Sequence, residues 1–310
     1  MAKKANKEKF DIYTMITDKI IAQLEQGIIP WRRPWTGVMD GAISYVSRKP
    51  YSVLNQLLLG KPGEYLTFNE IVKLGGRLKE GATSSVVTFY TSIVRTKATE
   101  ETEDGDDIKV TVYKSKLVPF LRYYRVFHID DTEGIKSKIK VEKPVVTLNP
   151  VDKAEKVIEG YLAAEPHLKF HNDKPSNRAF FCPSTDEVVV PMMSQYKDVE
   201  EYYSTTFHEL THSTLMPDRC DRKDSLGTFG SETYSREELV AEIGAAMLVN
   251  VCGMEADKAF KNSVAYLKGW LSHLKDDKKA IVLAAARAEK AARYIQGERE
   301  DRKEKPAEAA

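Results

Sequence analysis

His208-Glu209-Leu210-Thr211-His212 decides how the second half of this chain is read. On a helix, residues four apart share a face, so the two imidazoles stand one turn apart and converge on a single ion. Glu209 follows the first histidine and lies beside that ion, placed to take a proton from a metal-bound water. The flanks agree with this reading. From Tyr202 to Met216 the only Asp, Glu, Lys, Arg or His side chains are the motif's own, and Phe207, Leu210 and Leu215 are apolar. A surface helix with two incidental histidines would carry charges at the intervening positions.

A structural zinc is closed by four protein ligands, usually with cysteines, whereas a catalytic one keeps three and leaves a position for water. The extended H-E-x-x-H-x-x-G-x-x-H pattern is absent, because Leu215 and Asp218 stand where it has glycine and histidine, although the Asp218 carboxylate is able to ligate. Downstream, Tyr234-Ser235-Arg236-Glu237-Glu238-Leu239-Val240-Ala241-Glu242 opens an apolar helix that runs through Met247 and Leu248. Glu238 and Glu242 share a face, so one can bind the metal while the other holds a ligand histidine by its free ring N–H. This resembles the glutamate-type zinc peptidases, in which a glutamate ligand is followed four residues later by an acidic residue that orients a histidine. The resemblance makes His208, His212 and Glu238 the ligands of one Zn2+ per chain, other divalent metals being possible, with Glu242 as the orienter. Glu237 and Glu238 also fit the first-turn acids that a helix N-terminus favours. Tyr234 and Arg236 are candidates to stabilise an oxyanion. His171 and His273 are isolated and read as surface or packing residues.

With 310 residues, 42% hydrophobic and 30% charged, the chain is long enough for two domains, each with its own core. It has no apolar run of membrane-spanning length and no signal-peptide core near its lysine-rich start, so a cytoplasmic protein is expected. Cys182, Cys220 and Cys252 stand far apart, which argues against a disulfide framework or a cysteine zinc site. The net charge of +1 conceals an asymmetry: residues 1–145 carry 24 Lys and Arg against 18 Asp and Glu, and residues 146–310 carry 23 against 28. Six of the N-terminal acids crowd between Glu100 and Asp107, a loop or hairpin tip. A basic domain joined to an acidic one points to a polyanion as partner of the first.

Phe10, Ile12, Tyr13, Ile16, Ile20, Ile21 and Leu24 follow a helical spacing that Gly27 stops. Ile29-Pro30-Trp31-Arg32-Arg33-Pro34-Trp35 is a stiff segment with two tryptophans around two arginines. Short helices are predicted from Ser52 to Leu59 and from Phe68 to Leu74. Val86 to Val94 and Ile108 to Val118 read as a strand pair, and Phe120 to Phe127 continues in extended form. Aromatics interleaved with arginines suit single-stranded nucleic acid, since bases stack on rings while guanidiniums meet phosphates. Trp31, Arg32, Arg33, Trp35, Arg122, Tyr124 and Arg125 are the candidates. Packing is the competing role for Tyr123, Tyr124 and Phe127 in a strand, and for a tryptophan beside proline at a core edge.

The whole chain, from about Phe10 to about Gly297, resembles the ArdC-type antirestriction proteins of conjugative plasmids and other mobile elements. The resemblance rests on Gly27 to Trp35, Lys49 to Asn55, Tyr65 to Glu70 with Leu74-Gly75-Gly76, Leu121 to His128, the H-E-x-x-H segment, Arg219, and Tyr234 to Glu242. It departs from the family pattern at His128, where asparagine is common, near Ser52 and Val53, where a glycine is common, and in the acidic loop that lengthens the hairpin. The resemblance implies an α+β protein of two domains: an N-terminal α+β domain that binds single-stranded DNA, and a mainly helical zincin-like metallopeptidase domain with a small sheet. The expected boundaries are a basic tail at 1–9, the DNA-binding domain at 10–135, a linker at 136–150, the metallopeptidase domain at 151–297 and a polar tail at 298–310. The implied function is antirestriction with a zinc-dependent peptidase-type site. A site-specific metallopeptidase recruited to DNA, with a protein substrate, and a pseudo-peptidase whose zinc only stabilises the fold are the alternatives. Oligomeric state is not legible.

Overall fold

The computed structural model describes residues 11–26, 28–32, 41–102, 109–139, 150–222, 232–254 and 264–298. Helix α1 (Ile12–Glu25) starts at Asp11, whose carboxylate accepts from the backbone N–H of Tyr13 at 3.1 Å. Its apolar stripe buries Ile16, Ile20, Ile21 and Leu24, the spacing legible in the sequence. A 3-10 turn at Pro30–Arg32 and strand β1 (Ala42–Ser44) lead to helix α2 (Val53–Leu59), which ends at Gly60 in the left-handed conformation, φ 63°. Strand β2 (Gly63–Thr67) runs directly into helix α3 (Phe68–Lys73). Thr67 makes that junction, its hydroxyl accepting from the Glu70 N–H while the Glu70 carboxylate accepts from the Thr67 N–H.

After the short strand β3 (Arg77–Leu78), a long hairpin forms from β4 (Ser85–Thr102) and β5 (Lys109–His128). The two separate extended stretches expected after Ile108 are one unbroken strand, paired with β4 from Thr102↔Lys109 down to Ser85↔Val126. The sheet order is β1-β2-β5-β4, with β1 and β2 parallel and the other pairs antiparallel. A second short pair joins β3 to β6 (Thr132–Glu133). The outer edge of β4 is closed at Thr88 by Asn55 of α2, whose amide donates to the Thr88 carbonyl at 2.8 Å and accepts from its N–H at 2.7 Å. Buried Glu64 on β2 accepts from Ser137 Oγ and Lys138 N and pairs with Arg48, tying the start of the expected linker to the sheet.

In the second half, helix α4 (Pro150–Ala164) precedes a three-stranded sheet of β7 (Lys169–His171), β8 (Phe180–Cys182) and β9 (Glu187–Val189), ordered β7-β9-β8. Helices α5 (Val199–Ser213), α6 (Glu232–Cys252), α7 (Val264–Asp276) and α8 (Ala280–Ile295) follow. One apolar cluster joins Ala154, Ile158, Val188, Phe207, Leu210 and Leu248. Another is drawn from both halves of the chain: Ile16, Ile20 and Leu24 of α1, Leu57 and Leu58 of α2 and Leu121 of β5 share it with Leu239, Ile243, Trp270, Ile281 and Ala285. Polar bonds follow the same junction, since Thr17 Oγ1 donates to the Lys278 carbonyl at 2.7 Å and the Glu289 carboxylate accepts from the Val53 N–H at 3.0 Å. No described helix is long and apolar enough to cross a membrane.

Trp31 belongs to this junction. It is 1% exposed, and its ring meets Trp270 edge to face at a centroid distance of 5.2 Å. The expectation that Trp31 stacks on a base is therefore corrected: its ring fills the gap between α1 and α7, the packing role. Trp31→Ala should destabilise the protein by about 3–5 kcal/mol in denaturant unfolding, because a large ring leaves a cavity that cannot fully collapse. A loss under about 1 kcal/mol, typical of a surface change, would contradict this placement.

Candidate metal centre

Three side chains from two helices meet at one point. His208 and His212 project from the last two turns of α5, and Glu238 from the second turn of α6. One donor atom from each lies within 4.8 Å of the others. The two Nε2 atoms are 3.2 Å apart. Glu238 straddles them, Oε2 lying 3.5 Å from Nε2 of His208 and Oε1 3.4 Å from Nε2 of His212. Ligand atoms at zinc distances around a tetrahedral ion stand about 3.3 Å apart, so the spacing and the two-nitrogen, one-oxygen chemistry both fit a divalent metal. Among the described residues this is the group of His, Cys, Asp and Glu with metal-holding geometry, and Asp218 is exposed and outside it.

Contact between α5 and α6 makes the convergence possible. Gly244 of α6 lies against Thr211, and a Cβ at that position would sit 2.7 Å from Thr211 Cγ2. Only glycine lets the helices approach this closely without displacing the Thr211 side chain. The C-terminal end of α5 is fastened by two buried arginines. Arg219 donates to both carboxylate oxygens of Asp186, at 2.8 and 2.5 Å, to Glu165 at 3.1 Å and to the Ser213 carbonyl at 2.8 Å. Arg222 donates to the Thr211 carbonyl at 3.0 Å and to Thr214 Oγ1 at 2.8 Å. Both satisfy oxygens that the end of a helix leaves without intrahelical partners.

The carboxylate beside His212 is Glu237. Its Oε1 lies 3.5 Å from Nδ1 of His212, and both its oxygens accept from Arg222, at 2.5 and 3.1 Å. Glu237 is thus the carboxylate at Nδ1 of His212, a neighbour that the sequence reading did not single out. Glu242 itself is buried one turn further along α6. Arg236, a candidate oxyanion stabiliser, is paired with Asp277 at 3.1 Å, which directs its guanidinium toward the α7–α8 turn. Tyr234 lies in the first turn of α6, and its side chain is outside the described residues.

Electrostatics of the cluster favour charge separation. Burial opposes a charged His212, yet the Glu237 and Glu238 carboxylates outweigh it and push its pKa up to about 10. His208 is raised for the same reason, burial being overcome chiefly by Glu238. Burial also works against an ionised Glu238, but the two histidines hold it well below the usual carboxylate range. Glu209 behaves in the opposite way. Burial raises its pKa and dominates the opposing pull of the two histidines and the smaller one of the Phe181 backbone. Glu209 is thus a proton acceptor of raised basicity beside the histidines.

The DNA-binding candidates separate. Arg122, Tyr123, Tyr124 and Arg125 are all exposed on β5, and Phe127 is partly buried in a small core. The pairing register sets Phe89 of β4 opposite Arg122, on the strand face that also carries Tyr124. Phe89 is 47% and Tyr124 44% exposed, with rings 5.3 Å apart and edge to face. Phe89 was missed from sequence because only the register reveals its neighbour. Arg33 and Trp35 lie outside the described residues, as does the side chain of Arg32.

Residues 159–287 match the zincin-like metallopeptidase family, and residues 10–127 match the N-terminal domain of anti-restriction factor ArdC. The chain resembles the crystal structure of the antirestriction ArdC protein from plasmid R388 in its metal-free form, with a TM-score of 0.68 and 29% identity over 93% of this chain and 98% of that one. The Mn(II)-bound form of that protein is matched with a TM-score of 0.68 and 28% identity, over the same shares. A DNA primase TraC of Escherichia coli is 30% identical over 93% of this chain and 27% of its own length, so this chain spans about a quarter of that relative. An uncharacterized protein y4eC of Sinorhizobium fredii is 27% identical over 94% of this chain and 93% of its own. With both halves matched in order and the metal-ligand geometry in place, the chain belongs to the ArdC-type antirestriction family, an ArdC N-terminal domain followed by a zincin-like metallopeptidase domain.

Proposed function

We propose that this protein counters restriction on behalf of a mobile genetic element by binding single-stranded DNA in the cytoplasm, and that it carries one zinc ion at a peptidase-type site. The convergence of His208, His212 and Glu238 beside a buried Glu209 is the observation that carries the metal part. Held by His208, His212 and Glu238, a divalent ion would supply Lewis acidity at this site. Glu209 takes the proton from the attacking water and returns it to the leaving amine, a role suited to a carboxylate whose pKa burial has raised. The Mn(II)-bound form of the R388 relative supports a divalent metal in general.

For DNA, the exposed Arg122, Tyr124 and Phe89 on one strand face supply the guanidinium and the rings that unstacked bases and phosphates need. Arg125 adds charge from the opposite face. The alternative of a metallopeptidase recruited to DNA is favoured by the intact Glu209.

The two readings divide on one pair of variants. Glu209→Gln should leave antirestriction and DNA affinity unchanged while abolishing any peptide hydrolysis, and charge removal at Arg32 and Arg33 should abolish protection of incoming DNA. Loss of protection in Glu209→Gln alone would transfer the function to the peptidase site. Titrations of single-stranded DNA across a salt series should give a log–log slope that falls by about 1.4 in Arg122→Ala/Arg125→Ala, about 0.7 per phosphate contact. Tyr124→Ala should weaken binding by about 1–3 kcal/mol without altering that slope.

Metal uptake provides a further measurement. Because the raised pKa of His212 keeps that ring protonated at neutral pH in the metal-free site, loading zinc should release a proton, detected calorimetrically in buffers of different ionisation heat. Uptake with no buffer dependence would contradict a protonated His212. In the metal-free protein the raised His212 pKa stabilises fully below its ordinary value of 6.5, and the contribution is lost as pH rises through about 10. The stability advantage of wild type over His212→Asn should therefore shrink across that window in denaturant unfolding.

A further inference from the structure

His212 lies across the first turns of α6 with one carboxylate at each nitrogen: Glu238 Oε1 at 3.4 Å from Nε2, and Glu237 Oε1 at 3.5 Å from Nδ1. Two consecutive glutamates thus bracket a single imidazole. An imidazole can bind a metal through either nitrogen, and the hydrogen bond made by the other decides which one is offered. Here Nδ1 faces a carboxylate that cannot turn away, because both its oxygens are held by the Arg222 fork. The fork is fixed in turn by the Thr211 carbonyl and Thr214 Oγ1, at the end of the same helix that carries His212. Arg222 and Glu237 are both buried, so solvent does not compete for these bonds. The result is a closed loop from α5 through Arg222 and Glu237 back to the His212 ring.

We infer that Arg222 and Glu237 are positioning residues for the metal centre, fixing the His212 ring so that Nε2 is the atom presented to the ion. The inference rests on the reading of His208, His212 and Glu238 as metal ligands. A buried Arg–Glu pair can also be merely structural, contributing little to net stability and nothing to metal binding. The Arg219–Asp186 pair provides the comparison. It is another buried guanidinium holding a carboxylate at the end of α5, at 2.5 Å, but with no contact to a ligand histidine.

The test titrates the metal-free full-length protein with Zn(II) and with Mn(II) against a chromophoric chelator, in wild type, Glu237→Gln, Arg222→Lys and Asp186→Asn. Glu237→Gln should lose about 10–100-fold in affinity, the usual loss when a residue that orients a metal ligand is changed. Arg222→Lys keeps the charge but not the two-pronged fork, so it should lose less. Asp186→Asn should lower the melting temperature of the metal-free protein while binding metal as wild type does. The visible absorption bands of the Co(II)-loaded protein should shift in Glu237→Gln and not in Asp186→Asn, a change that a simple loss of stability does not produce. If Glu237→Gln does not fold, Arg222→Lys against Asp186→Asn gives the same comparison. Zinc affinity within twofold of wild type in Glu237→Gln, or an equal loss in Asp186→Asn, would overturn the assignment. A wild-type chain that takes up no metal would overturn the metal reading itself.

Discussion

Helices α5 and α6 touch at Gly244, where the absence of a side chain makes room for Thr211. Without that contact the site has no geometry, because its donors come from two segments with a long stretch of chain between them. Metal ligands must be held to within about half an ångström of their working positions. A packed helix pair does this better than a loop, since side chains at a close interface have few rotamers open to them. Arg222 adds to the restraint by donating to the Thr211 carbonyl at the end of α5, the end that carries His212.

Helix α6 serves three neighbours along its length. Its second turn sets Glu237 and Glu238 beside His212, Leu239, Val240, Ile243 and Ala246 belong to the apolar cluster shared with α1, α2, α7 and α8, and Ala245, Leu248, Val249 and Cys252 belong to the one shared with α4 and α5. Every residue from Leu239 to Ala246 is buried, which explains why this helix has no polar face to read in the sequence. The site therefore sits at the end of the most enclosed helix among the described residues.

What the sequence made legible was local. The spacing of His208 and His212 follows from the helical repeat alone, whereas the turn between Glu238 and Glu242 left open which of them binds, and the resemblance to glutamate-type zinc peptidases pointed to Glu238. The carboxylate at Nδ1 of His212 was not legible, because which glutamate of α6 faces that ring depends on how α6 crosses α5, which no spacing within α6 encodes. Trp31 was misread for a similar reason. A tryptophan between proline and arginine looks the same whether it faces solvent or Trp270, and its partner lies in the other half of the chain. Phe89 was missed because strand register is set by pairing, and only pairing brings it to the face of Arg122 and Tyr124. The exposed Tyr123 and Tyr124 correct the packing alternative for those two rings, while Phe127 follows it.

The core joining α1 and α2 to α6, α7 and α8 also sets an order of events during synthesis. The apolar stripe of α1, with Ile16, Ile20 and Leu24, leaves the ribosome long before Leu239, Ile243, Trp270 and Ile281, the residues that cover it. At about 5–20 residues per second, that stripe waits on the order of ten seconds or more without its native neighbours. Until then it is open to chaperones or to neighbouring nascent chains. Helix α1 is thus among the last of these elements to reach its final surroundings, which are complete only once α7 and α8 have been made.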